Sequence, residues 1–323
     1  MAFLRTLPAP TLAALLGLAA FATFSTHDLL VKQLGASYSP FQIVFFSALL
    51  SFPLITLAMI TDERPGTLRP VHPWWMLTRS LSGTTSAVAA FYAFTELPLS
   101  QVYAVIFAAP LMITVLAVPI LGETVRLRRG LAVLVGFGGV AVVLNPSATE
   151  FGPGHIAALL AAATGALNAV IVRKIGQEER AVVMVLYPMM SNLVLMGAAM
   201  PFVYAPVAAG DLGLLTVVAA LVLCAMALLV AAYRRGDAII VAPMQYSQII
   251  WAAVFGAVFF GEYPDAQTYI GTAIVAASGL YILRREASPD VSAHAPVSNT
   301  RTRIGHTVGL RIGQILHRDR KGE

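Results

Sequence analysis

The chain contains few charged residues and a single cysteine. Charged side chains make up 11% of its 323 residues, against about 25% in average globular proteins. A soluble protein so poor in charge could not cover its surface with polar groups. The one cysteine, Cys224, lies in an apolar run, so an internal disulfide is excluded and thiol redox chemistry is not expected.

Hydrophobic residues replace the missing charge. They account for 58% of the chain, and the mean hydropathy is +0.78, so we expect an all-α integral membrane protein. The net charge of +5 comes from short basic clusters scattered between apolar runs. Because no basic face could hold a phosphate backbone, we expect the lipid bilayer and no nucleic acid as a partner.

Ten apolar runs are long enough to span a bilayer, which takes about 20 residues per helix. Numbered one to ten along the chain, the predicted segments are Thr11–Val31, Phe41–Ile60, Pro73–Thr95, Pro98–Leu121, Arg129–Leu144, Gly154–Val172, Ala181–Tyr204, Leu212–Tyr233, Ala238–Phe260 and Ala266–Leu283. The first segment also resembles a signal peptide, with Arg5 before an apolar stretch and Ala20-Phe21-Ala22 as a cleavage site. The apolar run continues past that site, which favours a membrane helix.

Basic residues are concentrated in alternate connections. These connections hold Arg64 and Arg69, then Arg126, Arg128 and Arg129, then Arg173, Lys174 and Arg180, then Arg234 and Arg235. The other connections contain acids and no base except Lys32. Since basic loops stay on the cytoplasmic side, both termini are predicted to be cytoplasmic, including residues 1–10 and a basic, mostly disordered tail at 284–323.

The two halves of the chain, 11–144 and 154–283, repeat. Leu121-Gly122-Glu123 aligns with Phe260-Gly261-Glu262, and Lys32-Gln33-Leu34-Gly35 aligns with Arg173-Lys174-Ile175-Gly176. Each half holds five predicted helices, and an odd number inserts the second copy upside down. Inverted repeats with a site near the membrane midplane are typical of secondary transporters.

These residues carry a resemblance to a known family. The Gly-Glu pairs that close segments four and nine, together with Lys32, Arg79 and Pro110, resemble the EamA-type permeases of the drug/metabolite transporter superfamily. The second half, with Asp237-Ala238, Ala242-Pro243, Tyr246 and Gly261-Glu262-Tyr263-Pro264-Asp265, is similar to the branch that includes bacterial S-adenosylmethionine uptake carriers. The resemblance implies a bacterial inner-membrane permease for an amino acid, nucleoside-like or cofactor-like cargo, moved by alternating access.

The first segment contains Ser25, His27 and Asp28, a composition that suggests a hydrolase triad. Adjacent helical positions point about 100° apart, so these side chains are not expected to form a relay. Ser25, Asp28 and Lys32 share a stripe, with His27 beside it. This stripe either lines the cargo path, with Asp28 binding a cationic group or exchanging a proton, or forms an Asp28–Lys32 pair that anchors the helix at the outer interface.

Segments four and nine supply most of the other candidates. Gln245 and Gln248 share a face of segment nine, and aromatic residues on both segments could form a box around a flat or cationic metabolite. The substrate-binding candidates of this group are Tyr103, Phe107, Gln245, Tyr246, Gln248 and Trp251, with Asn168 and Tyr187 added from the second half. For any single aromatic residue, ordinary helix packing is the alternative.

Other polar residues have two interpretations. Arg79 either extends to the cytoplasmic headgroups or contacts an anionic group of the cargo. Glu123 and Glu262 follow glycines that can end a helix in the left-handed conformation, and we interpret both acids as structural.

A non-transporting scaffold or sensor and an intramembrane enzyme are the alternatives to a permease. Segments one to ten show no pair of metal ligands and no nucleophile–base pair at helical spacing, so no enzyme activity, cofactor or metal is predicted. The small residues of segments five and ten suit a packing or homodimer surface. In the tail, Ile304, Val308 and Ile312 recur at helical spacing among arginines, which suits either a helix on the membrane surface or a solvated basic tail.

Overall fold

The computed structural model describes residues 8–60, 68–125, 127–144 and 151–286, and within these ranges all regular structure is helical. The α-helices are α1 (Ala9–Gly35), α2 (Pro40–Ile60), α3 (Pro73–Glu96), α4 (Leu99–Ile106), α5 (Ala109–Leu121), α6 (Leu127–Leu144), α7 (Pro153–Ile175), α8 (Ala181–Val203), α9 (Ala209–Tyr233), α10 (Ala238–Val241), α11 (Ser247–Phe255) and α12 (Ala266–Glu286). The predictions for residues 1–7 and for the tail from residue 287 fall outside the described residues.

Within the described residues, seven helical stretches are long and apolar enough to cross a membrane. They are Ala9–Gly35, Leu99–Leu121, Leu127–Leu144, Pro153–Ile175, Val182–Val203, Ala209–Tyr233 and Ala266–Arg284. The chain is therefore a multi-pass membrane protein. Helix α3 is absent from this set because it carries Arg79 and a series of serines and threonines. Several of these, including Ser80, Ser82 and Thr84, are buried, so this polar side of α3 faces the protein interior.

Predicted segment four is divided into two helices. Helix α4 ends at Ile106, and α5 begins at Ala109 after a turn at Phe107 and Ala108. Pro110 accounts for the break, because it has no N–H to donate to the carbonyl of residue 106 and its ring clashes with that carbonyl.

Predicted segment nine is also irregular. The short helix α10 leads into a 3₁₀ segment, Ala242–Tyr246, which contains Pro243. Helix α11 follows, and the last turn, Gly256–Phe260, is a π-helix. Irregular turns of this kind occur inside membrane proteins where neighbouring helices or a cavity surround them.

The long helices pack in pairs that link the two halves. Helix α1 packs along α9, α3 along α7, α6 along α12 and α2 along α8. Small residues allow α6 and α12 to approach closely, since a Cβ atom on Gly139 would lie 2.9 Å from the carbonyl oxygen of Gly271. At least part of the small-residue surface of predicted segments five and ten is therefore used for packing inside the chain.

Hydroxyl groups of α3 form hydrogen bonds with helices of the second half. Ser86 donates to the carbonyl of Ala161 on α7 at 2.9 Å, and Thr84 donates to the side-chain oxygen of Asn192 on α8 at 2.6 Å. These bonds satisfy polar groups that would be costly to bury alone. They also hold α3 against α7 and α8 next to the central cavity.

Candidate functional site

A cavity of about 140 Å³ lies between α1, α3, α4, α7, α9 and the segment-nine helices. Seven predicted site residues line it: His27, Asp28, Tyr103, Phe107, Asn168, Gln245 and Gln248. No lysine or arginine is among its lining residues in the described part of the chain. Asp28 is therefore a carboxylate in a cavity whose wall carries no permanent positive charge.

Asp28 is the centre of a hydrogen-bond network. His27 Nδ1 lies 2.7 Å from Asp28 Oδ1, and the Tyr103 hydroxyl donates a short hydrogen bond to Asp28 Oδ2. The Gln248 amide donates to the Tyr103 hydroxyl oxygen at 3.3 Å. The network thus runs from α1 through α4 to α11 and joins the two halves of the chain.

His27 and Asp28 form a pair that the sequence analysis did not predict. Their Cα–Cβ directions differ by one helical step, but both side chains border the same cavity and can turn toward each other. Ser25 is buried on the same helix and takes no part in the described network. The trio is therefore not a relay, although two of its members form a pair.

Lys32 does not pair with Asp28. Its Nζ lies 2.6 Å from Oε1 of Glu262, in the connection before α12. The predicted Asp28–Lys32 anchor is therefore not formed, and the partners of Asp28 are the histidine and tyrosine of the cavity.

A chain of aromatic rings forms one wall of the site. Ring centroids lie 5.7 Å apart for Phe94 and Tyr103, 5.7 Å for Tyr103 and Phe107, and 5.3 Å for Phe107 and Tyr246. Tyr246 contacts Phe107 and does not itself line the cavity. Contacts at these distances are typical of stabilising aromatic pairs, and Phe94, Tyr103 and Phe107 line the cavity.

Helix α3 contributes lining residues that sequence reasoning missed. Phe91 and Phe94 both border the cavity, and the Phe91 ring lies 5.9 Å from the ring of His27. The two phenylalanines are three positions apart, on one face of a helix rich in small and hydroxylated residues. That spacing was the available signal.

Comparison with known proteins identifies the family. Residues 11–145 and 152–284 each match the model of the EamA-like transporter family. The chain belongs to this family. The chain is thus a permease, and its two matched EamA regions meet at the cavity.

Relatives of this EamA-like transporter are named for different cargoes. The S-adenosylmethionine uptake transporter of Rickettsia prowazekii is 28% identical, covering 84% of this chain and 92% of that protein. The pseudopaline exporter CntI of Pseudomonas aeruginosa is 26% identical, covering 84% and 95%. A crystal structure that is 20% identical covers 85% of this chain and 99% of its own, with a TM-score of 0.55, which supports the fold alone.

The Gly-Glu motifs of this EamA-like transporter end helices as predicted. Gly122 and Gly261 have φ angles of 73° and 65°, in the left-handed region that favours glycine. The following amides donate to equivalent carbonyls, Glu123 N to Ala117 O at 3.4 Å and Glu262 N to Gly256 O at 2.9 Å. The left-handed caps are confirmed, and both glutamate side chains have partners elsewhere in the fold.

Besides Tyr246, three predicted site residues do not line the cavity. Arg79 is only 3% exposed and donates to the carbonyl of Met184 on α8 at 2.8 Å, so it does not extend to the headgroups. Tyr187 is exposed on α8, and Trp251 packs against Phe255. Cargo binding by Arg79, Tyr187 and Trp251 stays a prediction that this conformation does not support.

Proposed function

We propose that this EamA-like transporter spans the bacterial inner membrane ten times as two inverted five-helix repeats, with both termini in the cytoplasm. It carries a small metabolite by alternating access. The alternation of basic and acidic connections supports the orientation. It puts the Lys32 and Glu262 end of the bundle outside and the Arg173 and Glu123 end inside.

The packing of the helices supports the inverted repeats. Helix α1 packs against α9 as its counterpart α7 packs against α3. Phe107 and Tyr246, which occupy equivalent positions in the two halves, are in direct contact. Two equivalent residues can touch each other when the axis that relates the halves passes between them.

The cargo that best fits the cavity carries a positive charge and a flat or apolar body. Asp28 supplies the negative charge, and the rings of Phe91, Phe94 and Phe107 supply faces that attract cations and stack on planar groups. The amides of Gln245 and Gln248 add donors and acceptors that orient the cargo. The partly buried carboxylate of Asp28, bonded to His27 and Tyr103 and linked through Tyr103 to Gln248 of the second half, is the observation that carries this proposal.

S-adenosylmethionine is the first cargo to test. The name of the Rickettsia relative supports it, and its sulfonium cation and adenine ring match the charge and the aromatic wall. The other relative is named as an exporter, so uptake and export are both to be measured.

Transport can be measured with the purified protein in proteoliposomes. We expect saturable accumulation of radiolabelled S-adenosylmethionine, or of another cationic metabolite from a panel of amino acids, nucleosides and cofactors. Neutral and anionic members of the panel should compete poorly. Saturable transport of anions only would contradict the cargo class, whereas no saturable transport of any member would favour a scaffold or sensor.

The orientation has its own test. Tyr263 and Gln177 are exposed in connections at opposite ends of the bundle. In a Cys224→Ser background, Tyr263→Cys should react with an impermeant thiol reagent in whole cells, and Gln177→Cys should react only after the cells are opened. The reverse pattern would overturn the proposed orientation.

A further inference from the structure

Each half of the chain contributes a basic side chain that forms an ion pair with an acidic side chain of the other half. At the proposed outer end, Lys32 at the end of α1 lies 2.6 Å from Glu262, which follows predicted segment nine. At the proposed inner end, Arg173 at the end of α7 forms an ion pair with Glu123, which follows α5. Lys32 aligns with Arg173 and Glu123 with Glu262, so the two ion pairs are equivalent and reciprocal.

The outer ion pair ties three parts of the bundle together. Lys32 Nζ also donates to the carbonyl of Leu97 at 2.6 Å, just before α4. The other carboxylate oxygen of Glu262 accepts from the backbone N–H of Leu99 at 3.2 Å, at the start of α4, where the helix dipole favours negative charge. The end of α1, the start of α4 and the connection before α12 are thereby held together.

The inner ion pair also holds several helix ends together. Beside Arg173, Lys174 donates to the carbonyl of Ile120 at 2.7 Å and lies 4.7 Å from the ring centroid of Trp75. The end of α7 is therefore bound to the end of α5 and to the start of α3. The side chains of Arg173 and Glu123 are only 10% and 14% exposed, so this ion pair is shielded from competing water.

Both ion pairs join walls of the cargo cavity. Helix α1 carries Asp28 and α7 carries Asn168, while the acids follow the segments that contribute Tyr103 and Gln248. With both pairs formed, the cavity has about 140 Å³, less than the roughly 300–1,000 Å³ of common ligand pockets. A metabolite of nucleoside size therefore needs more room than the cavity has in this conformation.

We infer that Lys32–Glu262 and Arg173–Glu123 are two equivalent locks, and that separating one of them opens the cargo path at its own face of the membrane. A lock separates at low cost only when water reaches its charges, since an unpaired buried ion is strongly disfavoured. When one face opens, water reaches the ion pair at that face, while the ion pair at the other face stays buried and formed. The assignment of each lock to a face rests on the orientation proposed above.

The role of the two ion pairs can be tested by cysteine accessibility, which does not require that the cargo be known. Ala90 lines the cavity on α3, so Ala90→Cys in a Cys224→Ser background reports access to it. Modification by an impermeant cationic methanethiosulfonate is measured in right-side-out and inverted membrane vesicles. Glu262→Gln should raise the rate from outside by at least about fivefold and leave the rate from inside unchanged, and Glu123→Gln should do the opposite.

A conservative and a neutral substitution at Lys32 separate the ion pair from packing at the same position. Lys32→Arg keeps the cation and the donor to Leu97 and should leave the outside rate near that of the parent, whereas Lys32→Gln should raise it as Glu262→Gln does. Glu178→Gln is the matched control, because Glu178 pairs with His72 at the inner end in an exposed ion pair of the kind that contributes little. It should change neither rate.

The outcomes are distinguishable. If Glu262→Gln and Glu123→Gln change both rates equally, or change neither, or if Lys32→Arg opens the outer face as far as Lys32→Gln, the inference is wrong. If each variant opens one face but the faces are interchanged, the locks are supported and the proposed orientation is wrong instead.

Discussion

The two halves of the chain agree at their ends and differ in the middle. At the ends, the first half has Lys32 and Gly122-Glu123, and the second half has Arg173 and Gly261-Glu262 with the same left-handed caps. In the middle, His27-Asp28 in the first half aligns with Asn168-Ala169 in the second, and Tyr103 aligns with Ala242. The central acid and its hydroxyl donor therefore come from the first half alone.

This difference separates two tasks. Equivalent residues at the two faces suit a movement that must be performed at each face in turn. A cargo has no such symmetry, so the residues that bind it need not be repeated. Substitutions at unshared residues should therefore alter recognition, and substitutions at shared residues should alter the opening of the path.

Asp28→Asn should cause the largest loss. It removes the carboxylate that Tyr103 and His27 contact, and we expect transport of a cationic cargo to fall roughly 10- to 100-fold, as for other charged hydrogen bonds. Uptake into proteoliposomes measures the loss, and the pH profile of uptake shows whether proton exchange is lost with it. Asp237→Asn, at an exposed loop position, is the matched control. Normal uptake by Asp28→Asn would remove the acid from the site.

Tyr103→Phe should have a smaller effect, on affinity. The ring and its contacts with Phe94 and Phe107 remain, but Asp28 loses a hydroxyl donor and Gln248 loses an acceptor. We expect KM to rise about tenfold with little change in maximal rate. Tyr246→Phe, which alters a hydroxyl outside this network, should leave KM near the parent value. Equal effects of the two substitutions would mean that the unshared tyrosine has no special role.

Gly279→Ala should destabilise the second half without touching the acid. A Cβ atom at Gly279 would lie 2.0 Å from the Tyr246 hydroxyl oxygen, so the tyrosine must move, at a cost of about 1–3 kcal/mol. Thermal unfolding in detergent should show a lower Tm. Gly138→Ala, where a Cβ atom meets nothing within 4 Å, is the control, and Tyr246→Phe should restore much of the loss. A Tm unchanged by Gly279→Ala would contradict this packing.

Asp265→Ala should have the smallest effect. Asp265 accepts from the backbone N–H of Thr268 at 2.8 Å at the start of α12, and hydrogen bonds from Thr268 hold the pKa of this carboxyl below its usual value. Because the folded-state pKa is the lower one, the stabilisation is present above about pH 4 and is lost as pH falls through the folded-state value. We expect a loss of about 0.5–1 kcal/mol at pH 7, measured as Tm, and a smaller difference from the parent at pH 3. An equal difference at both pH values would rule out the carboxylate as the cap.

Long apolar runs and local signals predicted much of this fold. Helix lengths follow from hydropathy, and the caps at Gly122 and Gly261 follow from the need for a left-handed residue. The division of segment four was not predicted, although Pro110 marks it, because a proline can also be accommodated by a bend. The partner of Lys32 could not be predicted, since Glu262 is far away in sequence and only the packing of the halves brings the two together.

The sequence predicted the polar residues of the candidate site, because polar residues are rare in membrane segments. It missed the site residues of a type that is common in such segments. Asp28, Gln245 and Gln248 stand out in apolar segments, and all three line the cavity. Phe91 and Phe94 do not stand out, because phenylalanine is common in membrane helices. Arg79 is also a rare polar residue in its segment, but in the structure it binds the backbone of α8 and does not line the cavity.

The break in segment four also lies beside the cavity, at one of its lining residues. Pro110 cannot donate to the carbonyl of Ile106, and Ile106 lines the cavity. A carbonyl without its helical donor remains an acceptor for a group on the cargo, and no side-chain substitution at its own position removes it. An alanine scan of the cavity would therefore not test this acceptor, whereas replacement of Pro110, which returns the missing N–H, would test it.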